Sequence, residues 1–177
     1  MEYKSLLLED ITPSLLDDFD RYEEVYRAWR KEKGEYYLKD VYYTESWDSE
    51  ELKTVQNSLK ETIIKGGTVL GVYDKTKLVG FASLESQFFG SKNQYIQLSN
   101  LHITRDYRSL GIGKTLFNLC VEKASEYGAK KIYISASSCE NTQIFYKRMG
   151  CVFTKEINKK LHELEPYDCQ LEFEIKL

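Results

Sequence analysis

The stretch best equipped for chemistry is Arg108-Ser109-Leu110-Gly111-Ile112-Gly113-Lys114-Thr115. Glycines at 111 and 113 remove the side chains that would keep an anion away from the backbone amides of residues 109 to 114. Where a helix begins, such amides point outward as unpaired donors. Arg108 and Lys114 add two positive charges and the Thr115 hydroxyl one further donor, so the cradle suits a pyrophosphate. Two nucleotide motifs come close, and each fails at a named position. A P-loop needs glycine five residues before Gly113-Lys114-Thr115, where Arg108 stands; a dinucleotide fingerprint starting at Gly111 needs Gly or Ala at Leu116.

The cradle has to be held by a strand before it and a helix after it. Tyr95 to Thr104 reads as that strand, with a defect: Ile96 and Leu98 share one parity, Leu101 and Ile103 the other. Because strand side chains alternate with period two, a change of buried face around Ser99-Asn100 predicts a β-bulge or a strand buried on both faces. Beyond the cradle, Leu116, Phe117, Cys120, Val121, Ala124 and Tyr127 line one face of a helix from about Gly113 to Tyr127, closed by Gly128. A short strand over 131–135, a short helix over 141–149 and closing strands over 151–154 and 170–177 follow. The last alternates Cys169, Leu171, Phe173, Ile175 and Leu177 against Gln170, Glu172, Glu174 and Lys176. Upstream, 68–73 and 78–85 make a hairpin, and Asp48 to about Lys65 makes a helix that stops at Gly66-Gly67. Thr12-Pro13, followed by Leu15, Leu16, Phe19, Tyr22, Val25, Tyr26 and Trp29 at helical intervals, predicts an amphipathic helix over 13–31. The aromatic crowd over 35–47 has no period and predicts a loop. The order is mixed α/β, antiparallel hairpins preceding a strand, helix, strand unit, in one domain with no repeat or linker.

This order, with Arg108-x-x-Gly111-x-Gly113 after a bulged strand and Asn141-Thr-Gln-Ile-Phe145-Tyr146-Lys-Arg-Met-Gly150 after the next, resembles motifs A and B of the GNAT acyltransferase superfamily. The resemblance covers roughly residues 68 to 154, and over the same stretch streptothricin-type acetyltransferases look like distant relatives. It implies a mixed, mostly antiparallel sheet with flanking helices, whose bulged central strand splays from its neighbour around acetyl-coenzyme A. Residues 1–67 would then serve the acceptor, 68–154 the coenzyme, and 155–177 would close the domain as a loop and strand. The resemblance further implies that the pantothenate arm pairs with backbone groups of Leu101, His102 and Ile103. It places the pyrophosphate on residues 108–115, a coenzyme contact at Asn141 and the coenzyme sulfur opposite Tyr146, with Phe145 in the core. The implied activity is N-acetylation of a primary amine, expected to belong to a small molecule.

Acyl transfer to an amine needs a neutral nucleophile, a stabilised oxyanion and a protonated leaving group. A free N–H near the bulge, from Leu101 or a neighbour, is the natural oxyanion donor. Tyr146 is the candidate partner of the sulfur, although a phenol near pKa 10 donates to a thiolate near 8.5 at a cost of roughly 2 kcal/mol. Where many relatives carry a carboxylate on the bulged strand, this chain has Ser99 and Asn100. His102 is the candidate base by its reference pKa of about 6.5. Glu85, Glu163, Glu165 and Asp168 could act through water or bind the amine. Tyr26, Trp29 and Asn100 are candidate acceptor contacts, and Tyr22 with the aromatics of 36–47 and the acids of 17–24 could receive a cation.

Composition bounds these readings. Residues 1–50 hold 14 acidic against 7 basic side chains, and the remainder 14 against 18, an acidic front and a mildly basic back. A pI near 5.6 lacks the basic footprint of nucleic-acid binding. No apolar run reaches membrane-spanning length and no leader is evident, so a cytoplasmic protein without membrane attachment is expected, as a monomer or homodimer. Four cysteines without C-x-x-C spacing and only two histidines give no support for a metal and read as reduced, packed thiols. An acyl-coenzyme A binding module without chemistry, or an enzyme acting on protein N-termini or lysines, stays open beside the small-molecule reading.

Overall fold

The computed structural model describes residues 1–176. Its strands are β1 (Glu2–Ser5), β2 (Glu23–Glu32), β3 (Glu35–Glu45), β4 (Thr68–Asp74), β5 (Lys77–Leu84), β6 (Tyr95–Ile103), β7 (Lys131–Ala136), β8 (Val152–Phe153) and β9 (Cys169–Glu174). Its helices are α1 (Ser49–Ile64), α2 (Ile112–Glu126), α3 (Glu140–Met149) and α4 (Lys159–Leu164). Seven strands form one sheet in the order β1-β4-β5-β6-β7-β9-β8, while β2 and β3 pair separately as a hairpin. Every pairing in the large sheet is antiparallel except β6 with β7. The mixed, mostly antiparallel architecture expected from the sequence is the one present.

One core packs α2 and α3 against β4 to β7 and β9, with Leu116, Phe117, Cys120 and Ala124 meeting Val79, Ala82, Ile96 and Ile132. A second, on the opposite face, collects Leu16, Phe19, Leu59, Val69 and Phe81 with Trp47. α1 starts where the sequence indicates: Asp48 accepts from the amides of Glu50 and Glu51, and Glu51 accepts from the Asp48 amide, a reciprocal capping box. All four cysteines are buried and free. Of the polar positions of the last strand, Glu174 is exposed, whereas Gln170 and Glu172 are buried on hydrogen bonds from Tyr133 and from Tyr95 and Lys131. Leu177, the end of that alternation, lies outside the described residues.

The front of the chain departs from the sequence reading. Residues 13–18 are a run of tight turns that bury Leu16 and Phe19, and the chain then becomes the β2–β3 hairpin instead of a helix followed by a loop. Two causes are visible. The register shifts between Val25 and Arg27, so the buried residues of β2, Val25 and Ala28, stand three apart, a spacing that imitates a helix face. The turn is Lys33-Gly34, both at positive φ (50° and 87°), the two-residue geometry that matches strand twist, and Lys-Gly is a weaker signal for it than Asn-Gly. β1 and α4 were not expected; both are short.

Asp48→Ala removes the N-terminal cap of α1 and is expected to cost about 1 kcal/mol. Thermal denaturation should show a midpoint lower by roughly 2–4 °C at this chain length, with an unchanged far-ultraviolet spectrum.

Candidate active site

β6 and β7 pair only at Tyr95 with Lys131, Ile96 with Ile132 and Gln97 with Tyr133; beyond that they part. The bulge lies just past the separation, where β6 pairs Asn100 with Ser83 and Leu98 with Leu84 and leaves Ser99 over. The opening continues into a cleft of about 850 Å³ lined by Ser99, Leu101, Ile103, Ser135, Ser137 and Tyr146, and onward by Arg108, Ser109 and residues 111–114.

Backbone polarity within the opening follows from the ladder. Thr104 N–H donates to Val79 O, and in an antiparallel pair alternate residues face the partner. Asn100 and His102 therefore turn their backbone groups to β5, while Leu101 and Ile103 turn theirs into the opening. Of the three residues expected to pair with a ligand, the middle one is occupied inside the sheet. Side chains sort the same way, Leu101 and Ile103 packing on the α2 side, His102 on the side of Trp47.

At the far end of the cleft, Ser109 and Gly111 take φ of 63° and 81°, and α2 begins with Gly111 as its cap. The amides of residues 109–114 donate to no acceptor among the described residues, six consecutive donors around one concavity. The two glycines are needed for different reasons. A Cβ on Gly111 would meet nothing within 4 Å but would strain the left-handed backbone; one on Gly113 would press on Phe145 at 3.3 Å. Lys114 and Thr115 are exposed beside the cradle, and Leu110 stands out into solvent.

Arg108 corrects the expectation of a free charge for the ligand. Its Nε donates to Ile103 O, and its two terminal nitrogens donate to Tyr22 O and Arg21 O at 2.8 and 3.0 Å. The guanidinium pins the start of β2 to the end of β6. Asn141 lines the cleft at the start of α3 and reaches Glu23 at 3.4 Å.

Tyr146 is buried against Phe117 and Phe145 and lines the cleft, with no protein hydrogen-bond partner for its hydroxyl among the described residues. Burial, with smaller contributions from Cys151, Cys120 and Asp168, raises its phenol above the ordinary 10. Proton donation is thus harder than its residue type suggests. His102 lies edge-on to Trp47 at 4.7 Å and near Phe81 at 5.5 Å. Burial first, then the Arg21 and Arg108 guanidiniums, push its pKa down to about 3, which leaves a very weak base.

The remaining candidates separate. Tyr26 is exposed at the cleft beside Tyr42. Trp29 does not line the cleft: its ring packs on the main core while its backbone N–H donates to Ser138 O. Glu165 is exposed away from the cleft, its carbonyl holding the Asp168 amide. Glu85 accepts from Thr62 and Ser99, Asn100 donates to Ser83, and Asp168 accepts from Ser135. Sequence reasoning missed Arg21, which ties Glu45 at 2.6 Å and Glu23 at 3.3 Å below the hairpin, because only the β2–β3 register brings residues 21 and 45 together.

With this geometry, comparison with known proteins is informative. The model of the acetyltransferase (GNAT) family matches residues 18–151. No curated protein matches the sequence. Among solved structures, nourseothricin acetyltransferase superposes with a TM-score of 0.72 at 16% identity, covering 99% of this chain and 98% of that one. A candidate streptothricin acetyltransferase from Bacillus anthracis str. Ames, solved with acetyl coenzyme A, gives 0.71 at 21% identity with the same coverage. Aminoglycoside 6'-acetyltransferase type Ii gives 0.65 at 16%, covering 100% and 99%. At these identities the likeness speaks for the fold.

The depressed His102 pKa has a measurable consequence. Between about 3 and 6.5 the unfolded chain takes a proton that the folded ring refuses, so this contribution is complete above pH 6.5 and is lost as pH falls. Relative to His102→Gln, the parent protein should lose roughly 2–3 kcal/mol of unfolding free energy between pH 7 and pH 4 in denaturant titrations, the ring's residual exposure keeping the loss below the full shift.

Proposed function

The chain belongs to the acetyltransferase (GNAT) family, and from that premise we propose that it moves an acetyl group from acetyl-coenzyme A to a primary amine of a small molecule by direct attack on the thioester. The observation that carries this reading is the parted pair β6 and β7, with the backbone N–H and carbonyl of Leu101 and the N–H of Ile103 unpaired at one end of the cleft and six amides without an acceptor among the described residues at the other. The amides of residues 109–114 fit a diphosphate, and the edge of β6 fits an extended amide-bearing arm that adds to it as a strand would. Acetyl-coenzyme A supplies both, together with the thioester.

In this reading the Leu101 N–H receives the carbonyl oxygen as charge builds on it, a fixed dipole requiring no reorganisation. Tyr146, kept protonated by its raised pKa, holds the sulfur by a hydrogen bond and does not transfer its proton. His102 keeps the Trp47 and Phe81 side of the site dry and neutral and is not the base.

The small-molecule acceptor is supported by the hairpin. Arg108 ties residues 21 and 22, Arg27 grips Glu140 with contacts at 2.8 and 2.6 Å, and Ala28 bridges to Cys139, so β2 and β3 roof the acceptor end. A roofed cleft with Tyr26 and Glu23 at its rim suits a compact cationic amine better than a polypeptide.

Acetyl-coenzyme A turnover against small amines, aminoglycosides, amino acids and peptides, read by thiol release and product mass, should give products with small amines alone. Peptide acetylation of equal efficiency would refute the small-molecule reading, and binding without turnover on any acceptor would refute the enzyme. Gly111→Val, which strains a left-handed residue by 1–2 kcal/mol, should weaken acetyl-coenzyme A binding roughly tenfold.

Tyr146→Phe should lower kcat roughly tenfold to a hundredfold with little change in acetyl-coenzyme A affinity, since one hydrogen bond to the sulfur is lost. A kcat equal to that of the parent would remove Tyr146 from the mechanism.

A further inference from the structure

Two residues beyond the last β6–β7 pair, Ser99 and Ser135 stand across the opening from each other, and both line the cleft. Each hydroxyl ends on a carboxylate that does not itself line the cleft: Ser99 on Glu85 at 2.6 Å, Ser135 on Asp168 at 3.0 Å. The pairs are chemically unequal. One oxygen of Glu85 accepts both the Ser99 and the Thr62 hydroxyls, and Ser99 also meets the Ser83 hydroxyl at 2.7 Å, so the Ser99 proton has no single direction.

The Ser135 pair has a fixed direction. Asn158 N–H donates to the Tyr133 hydroxyl, Tyr133 O–H donates to Gln170 Oε1, and Gln170 Nε2 donates to Ser135 Oγ at 2.8 Å. Because Gln170 can only donate there, the Ser135 proton is directed to Asp168 Oδ2, and one lone pair of Ser135 stays open to the cleft.

We propose that Ser135 and Asp168 are the proton exit for the attacking amine. An amine N–H proton passes to Ser135 Oγ as the Ser135 proton passes to Asp168 Oδ2; the nitrogen lone pair bonds to the acyl carbon, and the carbon–sulfur bond breaks. The departing thiolate takes its proton from solvent, and Asp168 returns its own to solvent through Ser135. This rests on the acetyltransferase reading above. Ser135 touches the substrate, and Asp168 acts through it.

The surroundings of Asp168 agree with the role. Burial first, with Glu165 of the preceding loop and Glu45 of β3, raises its carboxyl to about 6 against the lowering by Ser135. Tyr146 of α3 and Cys169 of β9 also face it, and Arg30 of β2 lies 5.0 Å over the neighbouring Tyr167 ring. A base titrating near 6 is ionised at neutral pH and still able to accept a proton.

The test is the pH profile of kcat/KM with acetyl-coenzyme A and the best acceptor of the panel, on the full chain, with acetyl-coenzyme A affinity and thermal midpoint measured alongside. The parent should show an acidic limb near pH 6. Asp168→Asn should lose that limb and about a hundredfold or more in kcat/KM at pH 8, and Asp168→Glu should restore the limb. Ser135→Ala should lose most of the rate and Ser135→Thr recover it, a pair that decides the matter should Asp168→Asn fail to fold. Glu85→Gln should keep the limb whatever it does to KM. A limb retained in Asp168→Asn, or lost in Glu85→Gln, overturns the assignment; a parent that binds acetyl-coenzyme A but acetylates nothing overturns the enzymatic reading beneath it.

Discussion

Everything at the site depends on two parallel strands that stop hydrogen bonding after three residue pairs. A sheet interior ordinarily satisfies both edges of every strand, and a buried backbone group left without a partner costs as much as a lost hydrogen bond. β6 escapes that cost because its open edge faces a cleft. The lower halves stay joined through Tyr133, edge-on to the stacked rings of Phe89 and Tyr95, and through Glu172, which accepts from Tyr95 and Lys131. A dense polar and aromatic base below and a bulge just above set where the separation begins.

The hairpin then converts an open wedge into a roofed one. β2 and β3 do not join the large sheet, so their position has to come from elsewhere, and Arg108 provides it by donating to three carbonyls on two segments. A single residue of the cradle motif thereby couples the cradle end of the cleft to the hairpin. Lysine could not substitute, since its three donors diverge from one point and cannot span a planar fork of acceptors.

Legibility in the sequence followed the range of the interactions. The bulge, the glycine turn, the start of α1 and the closing glycine of α2 are encoded within a few residues and were readable from parity, turn chemistry and periodicity. The β2–β3 hairpin was not, because a register shift placed Val25 and Ala28 at a helical spacing and a tight turn was built from Lys33-Gly34. The roles of Arg108 and His102 were misjudged for a related reason. Residue type announces a cation or a base, whereas the carbonyls of residues 21 and 22 and the rings of Trp47 and Phe81 arrive from distant parts of the chain. Burial then decided the chemistry.

The absence of a carboxylate on the bulge follows from the same geometry. Ser99 and Asn100 turn to one face together, both bonded to Ser83, which is fully buried. An ionised side chain in that position would lose water without a cation to face it, a cost of several kcal/mol. Each carboxylate stands one hydroxyl back from the cleft instead: Glu85 behind Ser99, Asp168 behind Ser135. The serines present only a small neutral oxygen to the cleft. At this level the cleft wall therefore presents hydroxyl lone pairs first, with the carboxylates behind them.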